Sequence, residues 1–376
     1  MSGIYIHIPF CRKACLYCDF HFSVNLENKK YLIDAICKEI TSRKNYLEDE
    51  TITSIYFGGG TPSLLSLPEL EQILSVVHTN FVLDKKAELT FELNPEDAEI
   101  NYLKKIKTLG VNRLSIGLQS FNDEELKWMN RAHTVKQNTG SVKTAQQAGF
   151  DNISIDLIYG SKFQTAKTWY ETLHTAFSLH TQHISSYNLT VESRTQLHHL
   201  IKDKKETEVD SELSAQQFNI LIEETEKHGF IQYEISNFGK EGYMAKHNSS
   251  YWKGAYYLGI GPSAHSYNGV ARRFNVRSNA QYMQAIENDK SFYEEEILTA
   301  NDTYNEYILT RLRTQWGCDV KEIEALFGEK YKAYFLKQLE PHKQKNFFDI
   351  KQNRITLTKH GRHFADGIAA DLFYTT

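Results

Sequence analysis

The sequence predicts an α/β protein: a partial (β/α)6 TIM-like barrel followed by a small α+β C-terminal domain. Three observations lead there. Short β-branched or aromatic runs alternate with longer amphipathic stretches through the first part of the chain, the pattern of parallel strands joined by right-handed helical crossovers. Polar and glycine-rich residues recur just after successive strands, as at the C-terminal rim of a barrel, where that fold keeps its chemistry. From about Asp302 the order changes to helix, helix, hairpin, helix.

In chain order, strands are expected at Ile4 to Ile8, Ile52 to Phe57, Glu88 to Leu93, Arg113 to Gly117, Asn152 to Ile158 and His183 to Leu189, each rich in residues that suit a buried pleat. Crossover helices are expected near Lys29 to Tyr46, Leu67 to His78, Ala98 to Leu109, Thr134 to Ala148 and Thr165 to Leu179, and another over Ser211 to His228. Spacing by itself fits a doubly wound sheet equally well; the recurrent polar residues at strand ends favour the barrel. The charged stretch Ile201 to Asp210 reads as a solvated loop or helix extension, and glycine and aromatic residues dominate from Tyr233 to Asn275. The hairpin pairs Phe347 to Ile350 with Arg354 to Leu357 around Gln352-Asn353, and Gly361 to Phe373 closes the chain as an amphipathic helix. This last part resembles a winged helix that packs or docks. The expected division is residues 1–235 for the barrel, 236–300 for a connecting segment and 301–376 for the accessory domain.

Composition excludes some functions. Lys plus Arg at 43 against Asp plus Glu at 47 leaves a formal charge of -4, which argues against a nucleic-acid binder working by bulk electrostatics. No run approaches the roughly 20 apolar residues of a membrane span, and no basic-then-apolar leader precedes Ile4-Tyr5-Ile6-His7-Ile8, so the expected location is cytoplasmic. There are six prolines where average usage would give roughly 19. Four of them, Pro9, Pro62, Pro95 and Pro262, sit in short conspicuous motifs, where a rigid turn beside chemistry is expected.

Cysteine is sparse, five in all, yet Cys11, Cys15 and Cys18 fall within one octapeptide with C-x3-C-x2-C spacing. In a reducing compartment such crowding points to metal ligation rather than to disulfides. Three thiolates can hold three irons of a cubane and leave the fourth open to an exogenous ligand; a closed zinc site completed by His7 or His21 is the other reading. Gly58-Gly59-Gly60-Thr61 follows the second strand, as a tight turn or as a place where backbone approaches a ligand closely.

Together with Tyr5-Ile6-His7-Ile8-Pro9-Phe10-Cys11, Gly58-Gly59-Gly60-Thr61-Pro62-Ser63, Gly117-Leu118-Gln119-Ser120-Phe121 and Asp156-Leu157-Ile158-Tyr159-Gly160, the cysteine loop resembles the radical S-adenosylmethionine (SAM) superfamily, and within it the oxygen-independent coproporphyrinogen III oxidase group. The likeness runs in order along nearly the whole chain. It implies a [4Fe-4S] cluster on Cys11, Cys15 and Cys18. It also implies SAM contacts from Tyr5, Tyr17, Gly59, Gly60, Thr61, Glu92, Gln119, Arg131 and Asp156. In that set Arg131 can fork to the methionine carboxylate, Glu92 and Asp156 can accept from ribose hydroxyls or the ammonium, and Tyr17 lies near the adenine. Asn188 and His265 align loosely with family positions.

Two features divide that group. The oxidases carry a further cysteine two residues beyond the third cluster ligand and an N-terminal extension, whereas this sequence has Phe20 there and three residues before its first strand. Cys18-Asp19-Phe20 and His247-Asn248-Ser249-Ser250-Tyr251-Trp252 are similar instead to the haem-chaperone branch, whose mark is H-N-x-x-Y-W. The resemblance implies haem at a site that includes or adjoins His247, with the imidazole as an axial ligand and Tyr251 and Trp252 walling the macrocycle. A histidine satisfied among core aromatics is the plainer reading of His247. Arg272 and Arg273 suit haem propionates or are simple surface bases. Implied partners are haem and acceptor haemoproteins, respiratory ones among them, with room for a homodimer and for peripheral membrane association. The runner-up function is radical oxidative decarboxylation of coproporphyrinogen, and a third is a non-catalytic interaction scaffold. After Tyr159-Gly160 the chain has Ser161-Lys162-Phe163 where the family has an apolar residue and proline.

Overall fold

Isoleucine alternating with Tyr5 and His7 at the start of the chain sets the frame, because a strand sends successive side chains to opposite faces. In the computed structural model, which describes residues 2–47 and 51–375, β1 (Ser2–Ile8) buries Ile4, Ile6 and Ile8 against the crossover helices while Tyr5 and His7 line the interior. Next come α1 (Lys29–Ser42), β2 (Ile52–Gly59), α2 (Leu67–Asn80), β3 (Leu83–Leu93), α3 (Ile100–Thr108) and β4 (Arg113–Gln119). Then follow α4 (Asp123–Trp128), α5 (Val135–Gln147), β5 (Ile153–Tyr159), α6 (Ala166–Ser178), β6 (His183–Asn188), α7 (Gln196–Lys202) and α8 (Ser211–Lys227). Helix starts are fixed locally: Ser66 with Glu69 and Thr134 with Gln137 form reciprocal caps on α2 and α5, satisfying amides that have no partner within the helix.

Strands β1 to β6 pair in chain order and in parallel. The sheet then grows at both edges. Beside β6 lie β7 (Ile231–Glu234) and β8 (Asn237–Gly239), antiparallel, with β8 against β6. After α9 (Lys246–Trp252), β9 (Tyr256–Ile260) joins the open side of β1 in parallel, and β10 (His265–Tyr267), β11 (Ala271–Asn275) and, beyond α10 (Asn279–Glu287), β12 (Tyr293–Ile297) continue antiparallel. The result is a 12-stranded sheet that ends at β12 and β7 without closing, an open barrel with helices outside. Residues 236–300 therefore contribute β8 to β12 to the same sheet as the six parallel strands.

One buried cluster ties the late strands to the first helix. The Glu39 carboxylate on α1 accepts from the Gly261 amide (2.7 Å), the Asn275 amide group (2.8 Å) and the Tyr282 hydroxyl (2.5 Å), and it pairs with Arg43 at 2.9 Å. A buried carboxylate is tolerable because each lone pair has a donor.

The rest of the chain forms α11 (Ala300–Leu312), β13 (Cys318–Asp319), α12 (Val320–Phe327), α13 (Glu329–Lys343), β14 (Phe348–Lys351), β15 (Arg354–Leu357) and α14 (Ala365–Asp371). Its antiparallel sheet, ordered β13-β15-β14, encloses a separate core that includes Tyr304, Ile308, Ile323, Phe335, Ile355 and Ile368. This is the small α+β domain the sequence predicts. Arg313 fastens it to the barrel by pairing with Glu234 at 3.3 Å.

The strands β1 to β6 fall where expected, except that β3 begins at Leu83, five residues before Glu88, with a register shift against β2 between Ile52 and Ser54. The short helices α4 and α7, six and seven residues long, are not anticipated, since two turns carry too little periodicity to read. The C-terminal stretch is a 3-10 turn over Gly361–Phe364 and then α14, rather than one continuous helix.

Candidate functional site

Where β1 ends, Pro9 and Phe10 turn the chain into the cysteine loop at the C-terminal rim of the parallel strands. Backbone bonds between Cys11 and Ser23 (3.0 Å) and between Ser23 and Pro9 (2.8 Å) close the loop's base. Its middle is pinned by the Leu16 amide to the Met129 carbonyl (3.1 Å) and by the Leu197 amide to the Leu16 carbonyl (3.0 Å). Cys11, Cys15 and Cys18 are partly exposed and free of disulfides. Thr61 Oγ1 lies 3.5 Å from Cys11 Sγ, and Arg131 Nη1 lies 3.5 Å from Cys15 Sγ. Burial pushes the Cys11 thiol up to about 11 and the Cys18 thiol up to about 12, so iron binding here would release protons. Among the described residues no three His, Cys, Asp or Glu side chains converge on a single ion-sized point. Thiolates that each take a different corner of a cubane need not converge.

The residues expected to hold SAM gather along the same rim. Gly59 has φ +112°, and a Cβ there would stand 2.6 Å from His7 Nδ1; at Gly60 it would stand 2.6 Å from the Phe10 carbonyl oxygen. Only glycine fits either position. Asn94 Nδ2 donates to Thr61 Oγ1 at 3.3 Å, and Arg131 Nη2 donates to Asn94 Oδ1 at 2.6 Å and to the Gly117 carbonyl at 3.0 Å. A single chain of contacts thus links Cys11, Thr61, Asn94, Arg131 and Cys15. Arg131 Nε is buried with no hydrogen-bond partner among the described residues, leaving one donor of the guanidinium open at the rim. Gln119 adopts φ +64° and breaks the β4–β5 register, strain of the kind that accumulates at binding sites.

Deeper in the lumen, the Tyr56 hydroxyl donates to Glu92 at 2.6 Å, and Ser115 donates to Asp156 at 3.2 Å. Burial, reinforced by Asp156, pushes Glu92 up to about 7, and burial pushes Asp156 up to about 6. Tyr5 reaches His7 Nδ1 at 3.1 Å. Tyr17 packs beside Leu16 and Met129 next to the cysteines. A guanidinium with an open donor, two interior carboxyls and glycine backbone fit a zwitterionic ligand that also bears hydroxyls.

Sequence reading passed over Asn94, Ser115 and Arg113 as site residues. The signal was present in the strand period: Asn94 lies two residues after Glu92, and Arg113 and Ser115 precede Gly117 by four and two, so each shares a face with a residue already singled out. Arg113 is almost wholly buried, and its charge acts on both Glu92 and Asp156.

At the other end of the lumen α9 forms a plug. Glu88 accepts from the Lys246 and His247 amides, each at 3.1 Å, which anchors the helix start. His247 is 1% exposed, with Nδ1 2.8 Å from Ser54 Oγ and Nε2 2.7 Å from the Tyr251 hydroxyl. Its ring stacks on Tyr56 and meets Tyr251 edge-on. Burial, with Arg113, pushes this imidazole down to about 3. The fold brings His247 and Tyr251 into contact; Trp252 sits at the end of the same helix under the Arg313 guanidinium, 5.6 Å from ring centre.

Between rim and plug lies an open cavity of about 1010 Å³. It runs from Phe20 and His21 past Tyr5, Tyr56 and His247 to Tyr307 and Phe327 of the C-terminal domain. Phe20 is 72% exposed. Arg272 and Arg273 are already paired, with Glu306 at 2.8 Å and Glu295 at 2.5 Å. Among the described residues no helix is long and apolar enough to cross a membrane.

Comparison with known proteins agrees with this layout. Residues 5–176 match the radical SAM superfamily, and residues 298–364 match the HemN C-terminal domain. The chain is 33% identical over 367 residues to the heme chaperone HemW of Bacillus subtilis, covering 96% of each chain. It is 32% identical over 368 residues to the heme chaperone HemW of Lactococcus lactis, covering 98% of this chain and 96% of that one. Among solved structures, coproporphyrinogen III oxidase (HemN) from Escherichia coli superimposes with a TM-score of 0.86 at 24% identity, covering 99% of this chain and 90% of that one. That likeness establishes the shared fold.

Proposed function

The chain belongs to the HemW group of the radical SAM superfamily, and from that premise we propose that it is a haem chaperone. It takes haem into the cavity between rim and plug, holds a [4Fe-4S] cluster and SAM at the rim, and passes haem to acceptor haemoproteins. The observation that carries this reading is the aromatic-lined cavity of about 1010 Å³, at the upper end of the roughly 300 to 1,000 Å³ typical of small-molecule sites and suited to a flat apolar macrocycle.

The division of labour follows from the side chains. Cys11, Cys15 and Cys18 are the cluster ligands, with Thr61 and Arg131 donating to the sulfurs. When bound, the cluster and SAM supply one-electron chemistry and a means of reporting redox state. Arg131 receives the methionine carboxylate on its open Nε. Glu92 and Asp156 accept from hydroxyl or ammonium groups, Gly59, Gly60 and Thr61 offer backbone, Gln119 and Tyr5 border the ligand, and Tyr17 packs near the adenine. Tyr251 and Trp252 would wall the haem, with His247 held beside them in the cavity lining by Ser54 and Tyr251. Residues 301–376, with their own core, serve as the accessory docking unit. Five free cysteines fit a reducing cytoplasm, with homodimerisation and peripheral membrane contact as accompanying expectations.

The exposed phenyl ring of Phe20, where oxidases place a cysteine, favours the carrier over the oxidase. Anaerobic reconstitution separates the readings. A haem titration is expected to give a saturable Soret shift, and coproporphyrinogen incubated with SAM and reductant is expected to persist. Protoporphyrinogen with released carbon dioxide would instead establish the oxidase, and neither cluster absorbance nor haem binding would leave a scaffold.

A further inference from the structure

Four histidines line the cavity: His7, His21, His247 and His265. Three of them are hydrogen-bonded, His7 and His247 at both ring nitrogens and His21 at Nε2 alone. His7 binds the Tyr5 hydroxyl through Nδ1 and the His21 carbonyl through Nε2; His21 binds Asn279 Oδ1 through Nε2 at 2.8 Å; His247 is held at both nitrogens by Ser54 and Tyr251. A nitrogen engaged in a hydrogen bond must surrender it before it can give a lone pair to a metal. His247, buried at 1% exposure, would have to release Tyr251 and lose its Ser54 orientation together with any rotation of the ring.

His265 is held at neither nitrogen. It is exposed at the start of β10, and among the described residues neither ring nitrogen has a hydrogen-bond partner. Its ring stands edge-on to Phe274 at 4.8 Å between centres, directly across the β10–β11 pair, a contact that fixes the plane and leaves both nitrogens open. The register Tyr267↔Tyr257 and Tyr267↔Arg272 puts Tyr257, His265, Tyr267 and Arg272 on one face, the face that lines the cavity. An imidazole thus stands at the edge of a wall of tyrosines. Beside it Arg277, also exposed and lining the cavity, bonds only the Asp19 carbonyl at 3.0 Å and meets no carboxylate among the described residues. A guanidinium without a counter-ion suits a carboxylate ligand.

We propose that His265, rather than His247, supplies the axial imidazole to haem iron, and that Arg277 receives a propionate. The inference rests on the reading that the cavity takes haem. The partly enclosed cavity wall, together with Arg272 and Arg277, pushes the His265 imidazole below its ordinary value, which keeps the lone pair available at neutral pH.

The test uses the full chain under anaerobic conditions, with ferric haem followed by absorbance, electron paramagnetic resonance and resonance Raman. Wild type is expected to show histidine ligation. His265→Ala is expected to bind at least tenfold more weakly and to lose that signature, with added imidazole restoring it, while its circular dichroism stays unchanged. His265→Met, which keeps the side chain's bulk, is expected to replace the imidazole signature with a thioether one. Arg277→Gln is expected to weaken binding several-fold with the ligand signature intact. Histidine ligation that survives in both His265 variants, or that disappears in His247→Ala or His21→Ala instead, overturns the assignment and leaves the haem reading standing. Wild type that takes up no haem overturns both.

Discussion

The cysteine rim and the α9 plug sit at opposite ends of one lumen and solve opposite problems. At the rim, polar groups are left wanting: Arg131 Nε has no acceptor, two carboxyls stand close together, and Gln119 is strained. At the plug, the central imidazole has every need met, by Ser54, Tyr251, Tyr56 and the Glu88-anchored helix start. A site that awaits a ligand leaves polar groups unmet until binding, whereas the plug's imidazole is already satisfied at both nitrogens. The difference teaches that a conspicuous motif and an incomplete polar network are separate signals, and here the loudest C-terminal motif marks the completed one.

The largest effect expected from this contrast is at the rim. Cys18→Ala removes one of the three proposed iron ligands and should abolish the reconstituted cluster, measured as iron and sulfide content and visible absorbance. Thermal unfolding of the metal-free protein should be little changed, since the thiol is half-buried and takes only the Phe20 backbone amide. A large drop in that melting temperature would break the contrast.

A paired comparison sharpens it. His247→Ala leaves the Ser54 and Tyr251 hydroxyls without partners in a buried site, and should destabilise the metal-free protein by about 1 to 3 kcal/mol in urea unfolding. Arg131→Lys keeps a cation that can still donate toward Asn94 and the Gly117 carbonyl but loses the open Nε of the guanidinium, and should cost less stability. It should nevertheless weaken SAM binding by roughly tenfold or more, the worth of a charge-assisted hydrogen bond. Equal losses of stability in the two variants would erase the distinction.

The smallest effect is in pH. Glu92 and Asp156 hold their protons more tightly in the folded chain, at about 7 and about 6, than the ordinary carboxylate range near 4. The folded state therefore binds more protons, and the stability this contributes is fully present below about pH 4 and is lost as pH rises through 6 and 7. In Glu92→Gln the decline between pH 5 and 7.5 should flatten relative to wild type, read from urea midpoints across that range.

How much of this was legible in the sequence depends on length and period. Six strands with β-branched alternation and their crossovers could be read, as could the C-terminal hairpin and the cysteine spacing, because each is a local pattern several residues long. The late strands β8 and β10 span three residues each and β13 spans two, too short for alternation to show. The rim residues were found through their motifs and not through chemistry visible in one dimension. Asn94, which bridges Thr61 and Arg131 across segments 33 and 37 residues away, needed the fold to be seen. His247 and His265 looked alike as letters in aromatic stretches; only burial and hydrogen bonding tell them apart.

The placement of β9 against β1 has a consequence for synthesis. The strand that carries the cysteine loop stays uncovered on one side until residues 256–260 have emerged, and the Glu39 carboxylate lacks its last donor until Tyr282. At roughly 5 to 20 residues per second on the ribosome, that is an interval of many seconds in which an unpaired strand edge invites wrong pairing. Until then the cysteine loop hangs from a half-walled nascent chain, and roughly seven-tenths of the polypeptide must be made before the strand that carries it is covered on both sides.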